Sequence, residues 1–236
     1  YWLGKIGTEQ LAAINLVTPM QNIITNFGSG ITVAGAVLIA QYIGAGEKED
    51  ARSMANQIFA CAMGFAVVCA TLCFLGTPAI VNWLGADGGT AYYARVYLRV
   101  VIWDMPFLYM VNIFSAVHQA QGDTVRPMFL NLGGITLNLF LDPFFMIILN
   151  LGTAGAALAT LLAKAIPAIV AFGLLCRQEN DICLNRKYMR LQKEKLGMIL
   201  KIGLPTAIGG STMQPVSCTH LRAHETKANL VCRLLL

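Results

Sequence analysis

The sequence predicts an all-α polytopic membrane protein, and its charge content and charge distribution are the evidence. Only 12% of the 236 residues are charged, 56% are hydrophobic, and the mean hydropathy is +0.62. A soluble globular domain carries about 25% charged residues. The charges also cluster, leaving 37 uncharged residues between Glu9 and Glu47 and 34 between Arg52 and Asp87. Because about 20 apolar residues in a helix cross a bilayer, these runs predict several spans.

This composition excludes several classes of protein. So few charges cannot cover the surface of a soluble domain of this size, which excludes an ordinary cytosolic enzyme, a nucleic-acid-binding module and a disordered protein. Within lipid the backbone must satisfy its own hydrogen bonds, so spans are helices or closed barrels. Barrel strands alternate apolar and polar residues, whereas residues 34–40 are continuously apolar or small. The spans are therefore predicted to be helices.

The first two predicted spans precede the first large loop. Residues 10–41 form the first span, with Pro19 as a bend point, and the turn Gly44-Ala45-Gly46 ends it. The second span, 53–76, follows a charged patch and ends before Pro78, because proline and the glycines after it are typical of a loop.

Three further spans follow, and each contains a charged residue and a proline. They are predicted over residues 93–118, 127–149 and 154–176, and the loops between them contain Gly122 and Gly152. The first of these spans contains Asp104 and Pro106, the second contains Asp142 and Pro143, and the third contains Lys164 and Pro167.

The segments outside the spans complete the predicted organisation. Residues 1–7 are interpreted as the end of a truncated helix and an external loop, 177–197 as a basic linker, and 198–215 as the start of another helix. Residues 216–236 are interpreted as a non-native tail, because this polar stretch interrupts an apolar segment.

The basic residues predict the orientation of the chain. Seven Lys or Arg residues lie between positions 177 and 201, and loops rich in Lys and Arg are cytoplasmic. Alternation then places the loops at 42–52 and 119–127 on the cytoplasmic side. The loops at 77–91 and 150–153 carry no Lys or Arg and are predicted to lie on the external side of the membrane.

Three charges lie deep in predicted spans, at Asp104, Asp142 and Lys164. A charge at the centre of a membrane helix costs about 2.5–3.5 kcal/mol and usually marks an ion or substrate path. Asp142 is the strongest candidate, because Asn138 lies one turn before it and Pro143 frees nearby carbonyls. Such a group can hold a proton or Na⁺, or it can be a structural contact between helices.

The roles of the other two charges stay open at this stage. Asp104 is a cavity charge or a structural hydrogen-bond partner, and Lys164 pairs with Asp142 or Asp104 or extends its amine towards the membrane surface. A metal site is not expected, because no Cys-x-x-Cys pair occurs and His118 is the only histidine before residue 220.

Five stretches of the chain, in order and at matching helix positions, carry a family resemblance. They are GTEQLAA at 7–13, AQYIGAG at 40–46, QGDT at 121–124 before Pro127, NLFLD at 138–142, and GTAGAALAT at 152–160. With these stretches the chain resembles the N-terminal lobe of a multidrug and toxic compound extrusion (MATE) transporter of the bacterial multidrug and DNA-damage-inducible branch.

The resemblance implies an architecture and an activity. The architecture is a twelve-helix transporter with two six-helix lobes, of which residues 8–176 would supply helices 2–6 and 198–215 the start of helix 7. The first-helix aspartate of the family and the C-terminal lobe would lie outside this chain. The implied activity is not enzymatic: a cation-coupled (H⁺ or Na⁺) antiporter in the bacterial cytoplasmic (inner) membrane exports drugs and amphipathic organic cations by alternating access. The coupling ion is the only cofactor expected.

The resemblance also assigns site residues. Asn138 and Asp142 correspond to the cation-coupling pair of the fifth helix, Thr160 to a sixth-helix threonine and Tyr97 to a fourth-helix tyrosine. Asp104 and Lys164 do not correspond to shared family charges, so the choice of coupling ion stays open.

Two alternatives remain open from the sequence. A lipid-linked oligosaccharide flippase of the same superfamily would line its cavity with several basic residues, and here Lys164 is the only deep one. An intramembrane enzyme would need the carboxyls of Asp104 and Asp142 to lie together as a catalytic pair.

Overall fold

A computed structural model describes residues 8–86, 88–149, 152–177 and 192–211 of the chain. Residues 1–7, most of the basic linker and the tail at 216–236 lie outside the described residues. The described part is helical throughout apart from short turns.

Seven α-helices make up the described structure. In chain order they are α1 (Thr8–Gly44), α2 (Lys48–Trp83), α3 (Gly88–Val101), α4 (Met105–Ala120), α5 (Val125–Pro143), α6 (Gly152–Cys176) and α7 (193–211). A 3₁₀ turn, Ile102–Asp104, joins α3 to α4, and a π-helical turn, Phe144–Ile148, continues α5.

Five segments are long and apolar enough to cross a membrane, which confirms the predicted fold class. They are Gln10–Gly44, Lys48–Trp83, Gly88–Ala120, Val125–Met146 and Gly152–Cys176. Long apolar side chains on their outer surfaces are exposed, as expected of faces that contact lipid. The chain is therefore a multi-pass membrane protein.

The prediction that the second span ends before Pro78 is wrong, because α2 continues to Trp83. Pro78 has no N–H to donate to the carbonyl of Phe74. The hydroxyl of Thr77 donates to that carbonyl at 3.0 Å and to the carbonyl of Cys73 at 2.9 Å. The side chain thus replaces the missing backbone donor, and the helix passes through the proline.

The third span is broken where a continuous helix was predicted. Pro106 has no N–H for the carbonyl of Ile102, and the N–H of Met105 bonds to that carbonyl instead. The tighter bond makes a 3₁₀ turn, and Pro106 then lies in the first turn of α4. The break places Asp104 between α3 and α4, where its side chain points into the bundle and is fully buried.

Helix α1 packs against the other helices through small residues. Gly28 lies against the ring of Tyr109 on α4, and the Tyr109 hydroxyl donates to the carbonyl of Ile24 at 2.8 Å. At Gly30 the backbone approaches α7 so closely that a Cβ atom would lie 2.5 Å from the carbonyl oxygen of Gly203. These glycines are needed for close helix packing in the membrane.

The start of α7 is attached to α2. The backbone N–H of Gln192 donates to Oε1 of the buried Gln57 at 3.1 Å, and Nζ of Lys195 lies 2.9 Å from Oδ1 of Asp50. Helix α7 begins at residue 193, five residues before the predicted start at 198. The last part of the predicted basic linker is therefore helical.

The contact between Gly28 and Tyr109 gives a test of the packing. We expect Gly28→Ala to lower stability by about 1–3 kcal/mol, because a Cβ atom would overlap with the Tyr109 ring and displace it from Ile24. The thermal midpoint of the purified protein in detergent measures this. Gly64→Ala in α2 is the control: a Cβ atom there has no heavy atom within 4 Å, so its midpoint should not fall. Equal midpoints for the two variants would contradict the packing described here.

Candidate functional site

One cavity of about 250 Å³ lies between α4, α5 and α6. Its polar wall contains three of the residues predicted from the sequence, Asn138, Thr160 and Lys164, together with Asn131. Apolar side chains, among them Leu108, Val111, Leu130 and Ile135, form the rest of the wall. The cavity therefore offers a mainly apolar surface with a small cluster of polar groups.

Asn138 and Asp142 form a hydrogen-bonded pair on α5. Nδ2 of Asn138 donates to Oδ1 of Asp142 at 3.2 Å, and both side chains are half-buried. The spacing of four residues places both groups on one face of the helix. Asn138 lines the cavity, whereas Asp142 does not line it and contacts Asn138 from one turn further along α5.

The backbone beside this pair is irregular. Pro143 has no N–H to donate to the carbonyl of Leu139, and the N–H of Phe144 bonds to Leu141. The chain then continues as a π-helical turn, in which the N–H of Leu149 donates to the carbonyl of Phe144 at 3.1 Å. Such turns inside α-helices are frequent at functional sites. Pro143 thus leaves the carbonyl of Leu139, one turn before it, without its usual donor.

Helix α6 contributes Thr160 and Lys164, one turn apart on the same face. The Thr160 hydroxyl donates to the carbonyl of Ala156 at 2.9 Å, which leaves the oxygen as an acceptor. Small residues on the buried face of α6, such as Ala156 and Ala159, let the neighbouring helices approach closely. The sequence GAALAT therefore brings Thr160 to the cavity.

Lys164 pairs with Asp104, which resolves the alternatives left open by the sequence. Nζ of Lys164 lies 2.5 Å from Oδ2 of Asp104. The side chain of Lys164 is 30% exposed, whereas that of Asp104 is fully buried. Nε2 of Gln21 also donates to Oδ2 at 3.3 Å, and Oδ1 of Asp104 is buried with no hydrogen-bond partner.

Tyr97 is buried on α3 and does not line the cavity. The two carboxyls have different partners, a lysine for Asp104 and an asparagine for Asp142. They do not form the hydrogen-bonded acid pair that the enzyme alternative needs. Within the described ranges, no group of three or more His, Cys, Asp or Glu residues could hold a metal ion.

Sequence reasoning missed two polar residues of this region. Asn131 lines the cavity, and its spacing of seven residues from Asn138 would have indicated a shared helix face. Gln21 contacts Asp104 from α1 across 83 positions of sequence. No local pattern indicates that contact, although a glutamine inside an apolar span already suggests a buried polar partner.

The cavity can be tested by the accessibility of introduced cysteines. We expect Asn138→Cys and Thr160→Cys to react with a hydrophilic methanethiosulfonate reagent, because both positions line the cavity. Ile169→Cys, on the exposed outer face of α6, should face lipid and stay unlabelled. The signal of the parent protein, with its native cysteines, is subtracted. Labelling at 169 but not at 138 and 160 would show that the cavity is closed to water.

Comparisons with known proteins agree with this architecture. The chain is 24% identical over 206 residues to Multidrug export protein MepA of Staphylococcus saprophyticus and 27% identical over 208 residues to MepA of Staphylococcus aureus. Each alignment covers 87% of this chain and 46% of the relative. A solved inward-facing structure of a multidrug resistance MATE family transporter of the MOP superfamily matches with a TM-score of 0.85 and 27% identity, over 90% of this chain and 49% of that chain.

The chain thus spans about half the length of the curated relatives it matches. The family model named MatE matches residues 1–144, which is more than half of the chain. The resemblance indicated by the five sequence stretches is confirmed, and the chain belongs to the MatE family, within which it corresponds to the N-terminal lobe of a MATE transporter.

Proposed function

We propose that the chain acts as the N-terminal lobe of a cation-coupled antiporter, which exports drugs and amphipathic organic cations in exchange for H⁺ or Na⁺ by alternating access. The observation that carries the proposal is the Asn138–Asp142 pair beside the irregular turn of α5, at the wall of a cavity. The relatives are named as multidrug export proteins, which supports this substrate class.

Asp142 is suited to hold the coupling ion. Asn138 occupies Oδ1, and among the described residues no hydrogen-bond donor reaches Oδ2. Oδ2 can therefore take a proton, or it can bind Na⁺ together with the carbonyl of Leu139 and Oδ1 of Asn138. Hard cations prefer such oxygen ligands.

The same region is suited to an amphipathic cation. The apolar wall, including Leu108 and Val111, can take a hydrophobic ring system, and the oxygens of Asn131, Asn138 and Thr160 can accept hydrogen bonds. The charge of Asp142 attracts a cation only while the coupling ion is absent. The two ligands thus weaken each other's binding, and this coupling is reciprocal.

Neither alternative gains support from the geometry. A flippase for anionic lipid-linked sugars would need uncompensated basic groups, whereas Lys164 in this cavity pairs with Asp104. An intramembrane enzyme would need Asp104 and Asp142 to act as a pair, and each has a different partner.

We also propose a bacterial cytoplasmic membrane location, with the segment 177–197 on the cytoplasmic side. The Lys195–Asp50 contact supports this orientation, because it places the end of that segment beside the start of α2. Lys48 and Arg52 lie there too, so the basic residues collect at one end of the helices.

A second lobe is part of the proposal, since the chain spans about half of its relatives. We expect the reading frame at the source locus to extend upstream of codon 1 and to continue from codon 214 into a further set of membrane helices after α7. Sequencing outward from codons 1 and 214 tests this. A stop codon directly after Leu236 would contradict the expectation and would require two copies of the chain to form a complete transporter.

Asp142→Asn should abolish ion-driven efflux while leaving the protein in the membrane. The substitution keeps the shape of the side chain and its contact with Asn138 but removes the charge that a proton or Na⁺ neutralises. Ethidium efflux by cells or membrane vesicles that contain the complete gene product measures the effect, with an imposed pH gradient in one arm and a Na⁺ gradient in the other.

Asp123→Asn provides the matched control for this experiment. Asp123 accepts from the backbone N–H of Val125 at 3.0 Å at the start of α5, outside the spans, and asparagine can retain that contact. Its efflux should equal that of the parent. Unchanged efflux in Asp142→Asn would reject Asp142 as the coupling residue, and the gradient that drives the parent identifies the ion.

A further inference from the structure

Lys164 lines the cavity that we propose to bind organic cations. A positive charge in such a cavity needs an explanation. Lys164 is about one-third exposed towards the cavity, and an unpaired ammonium group there would repel a cation. The other polar groups of the wall carry no charge; they are Asn131, Asn138 and Thr160. A positive charge on Lys164 is therefore unfavourable for the proposed function. The following inference rests on that function.

The counter-charge for Lys164 is in place before any ligand binds. Asp104 lies in the 3₁₀ turn between α3 and α4, fully buried behind Lys164, with Oδ2 in contact with Nζ. Gln21 from α1 donates to the same oxygen at 3.3 Å. Contacts from two helices, α1 and α6, thus hold this carboxylate against the lysine, and Asp104 does not line the cavity.

The charges of the region give a simple balance. Among the described residues, Asp104 and Lys164 cancel, and the carboxylate of Asp142, which contacts Asn138 of the cavity wall, is the charge that remains. The phenol of Tyr97, which is buried on α3, adds no charge. Without the charge of Asp104, the positive charge of Lys164 would cancel that of Asp142, and the attraction for a cation would be lost.

We propose that Asp104 is a specificity-determining residue: its buried carboxylate masks the ammonium group of Lys164, and this masking sets the preference of the cavity for organic cations. Asp104 does not itself line the cavity, so it acts on the ligand through Lys164. Replacing Asp104 by a neutral residue converts Lys164 from a masked group into a positive charge at the cavity wall.

A purely structural role predicts a different pattern of variants. In that case the ion pair only ties the α3–α4 break to α6, and any variant that lacks the pair is equally impaired. The variants Asp104→Asn, Lys164→Gln and the double variant separate the two roles, because the double variant lacks the ion pair and also lacks the unmasked charge.

Equilibrium binding of ethidium, a fluorescent organic cation, to the complete gene product in lipid nanodiscs gives the readout. We expect Asp104→Asn to weaken ethidium binding by about tenfold or more, because an unmasked unit charge acts at short range in a region of low dielectric constant. The double variant should recover to within about threefold of the parent, since it has no unmasked lysine.

The result that overturns the proposal is a double variant that binds ethidium no better than Asp104→Asn, or an Asp104→Asn variant that binds as the parent does. If Asp104→Asn does not give a monodisperse protein, Lys164→Gln decides. Masking predicts ethidium binding equal to or tighter than that of the parent, because this variant adds no positive charge, whereas a structural role predicts weaker binding.

The same assay separates this inference from the proposed function. A parent protein that does not bind ethidium would reject the proposed substrate class itself. A parent that binds, together with weakened binding in Asp142→Asn and unchanged binding in Asp104→Asn, would reject only the role of Asp104. The surface variant Asp123→Asn should match the parent throughout.

Discussion

The absence of water in the hydrocarbon region of the membrane is the constraint on which the rest of this structure depends. Each polar group inside a span must find a partner within the protein. Hydroxyl groups do so locally, by donating to a carbonyl one turn earlier; Thr18, Thr71, Ser115 and Thr160 are examples. Asp142 also has a local partner, Asn138, one turn earlier, whereas Asp104 and Lys164 are brought together from 60 positions apart. Removing one partner of a buried ion pair is costly because the other stays buried, and this cost holds α3, α4 and α6 in register.

The existence of the spans followed from the sequence, but the effect of each proline within them did not. Pro78 and Pro106 both remove a backbone donor, yet α2 continues through the first and the third span breaks at the second. Thr77 precedes Pro78 and supplies a hydroxyl, whereas Met105 precedes Pro106 and has only its backbone N–H to offer. A hydroxyl is not required in every case, because α6 continues through Pro167, which follows Ile166. A general rule for proline therefore does not give the outcome at each position.

The candidate site was predictable as far as it is built within single helices. A spacing of four residues is enough to place Asn138 beside Asp142, and Thr160 beside Lys164. Which of the two carboxylates pairs with Lys164 was not predictable from the sequence. The pairing depends on how the 3₁₀ turn directs Asp104 into the bundle. The contact from Gln21 was missed for the same reason: it depends on how α1 packs, and no local sequence pattern encodes that packing.

The two acids inside the spans, Asp104 and Asp142, share a feature that links charge to the shape of the helices. Asp104 ends a 3₁₀ turn two residues before Pro106, and Asp142 precedes Pro143 and a π-helical turn. At both places a proline has already removed one bond of the helical ladder, so a change of turn type there breaks fewer bonds than it would in a regular helix. An ion shifts a conformational equilibrium only if it binds the two states with different affinity. Under the proposed function, a carboxyl adjacent to such a turn meets that condition, because a change in the turn moves the carboxyl relative to its partner. A carboxyl in the middle of a regular helix would bind the ion without this consequence, since the helix around it would have no second geometry of similar energy.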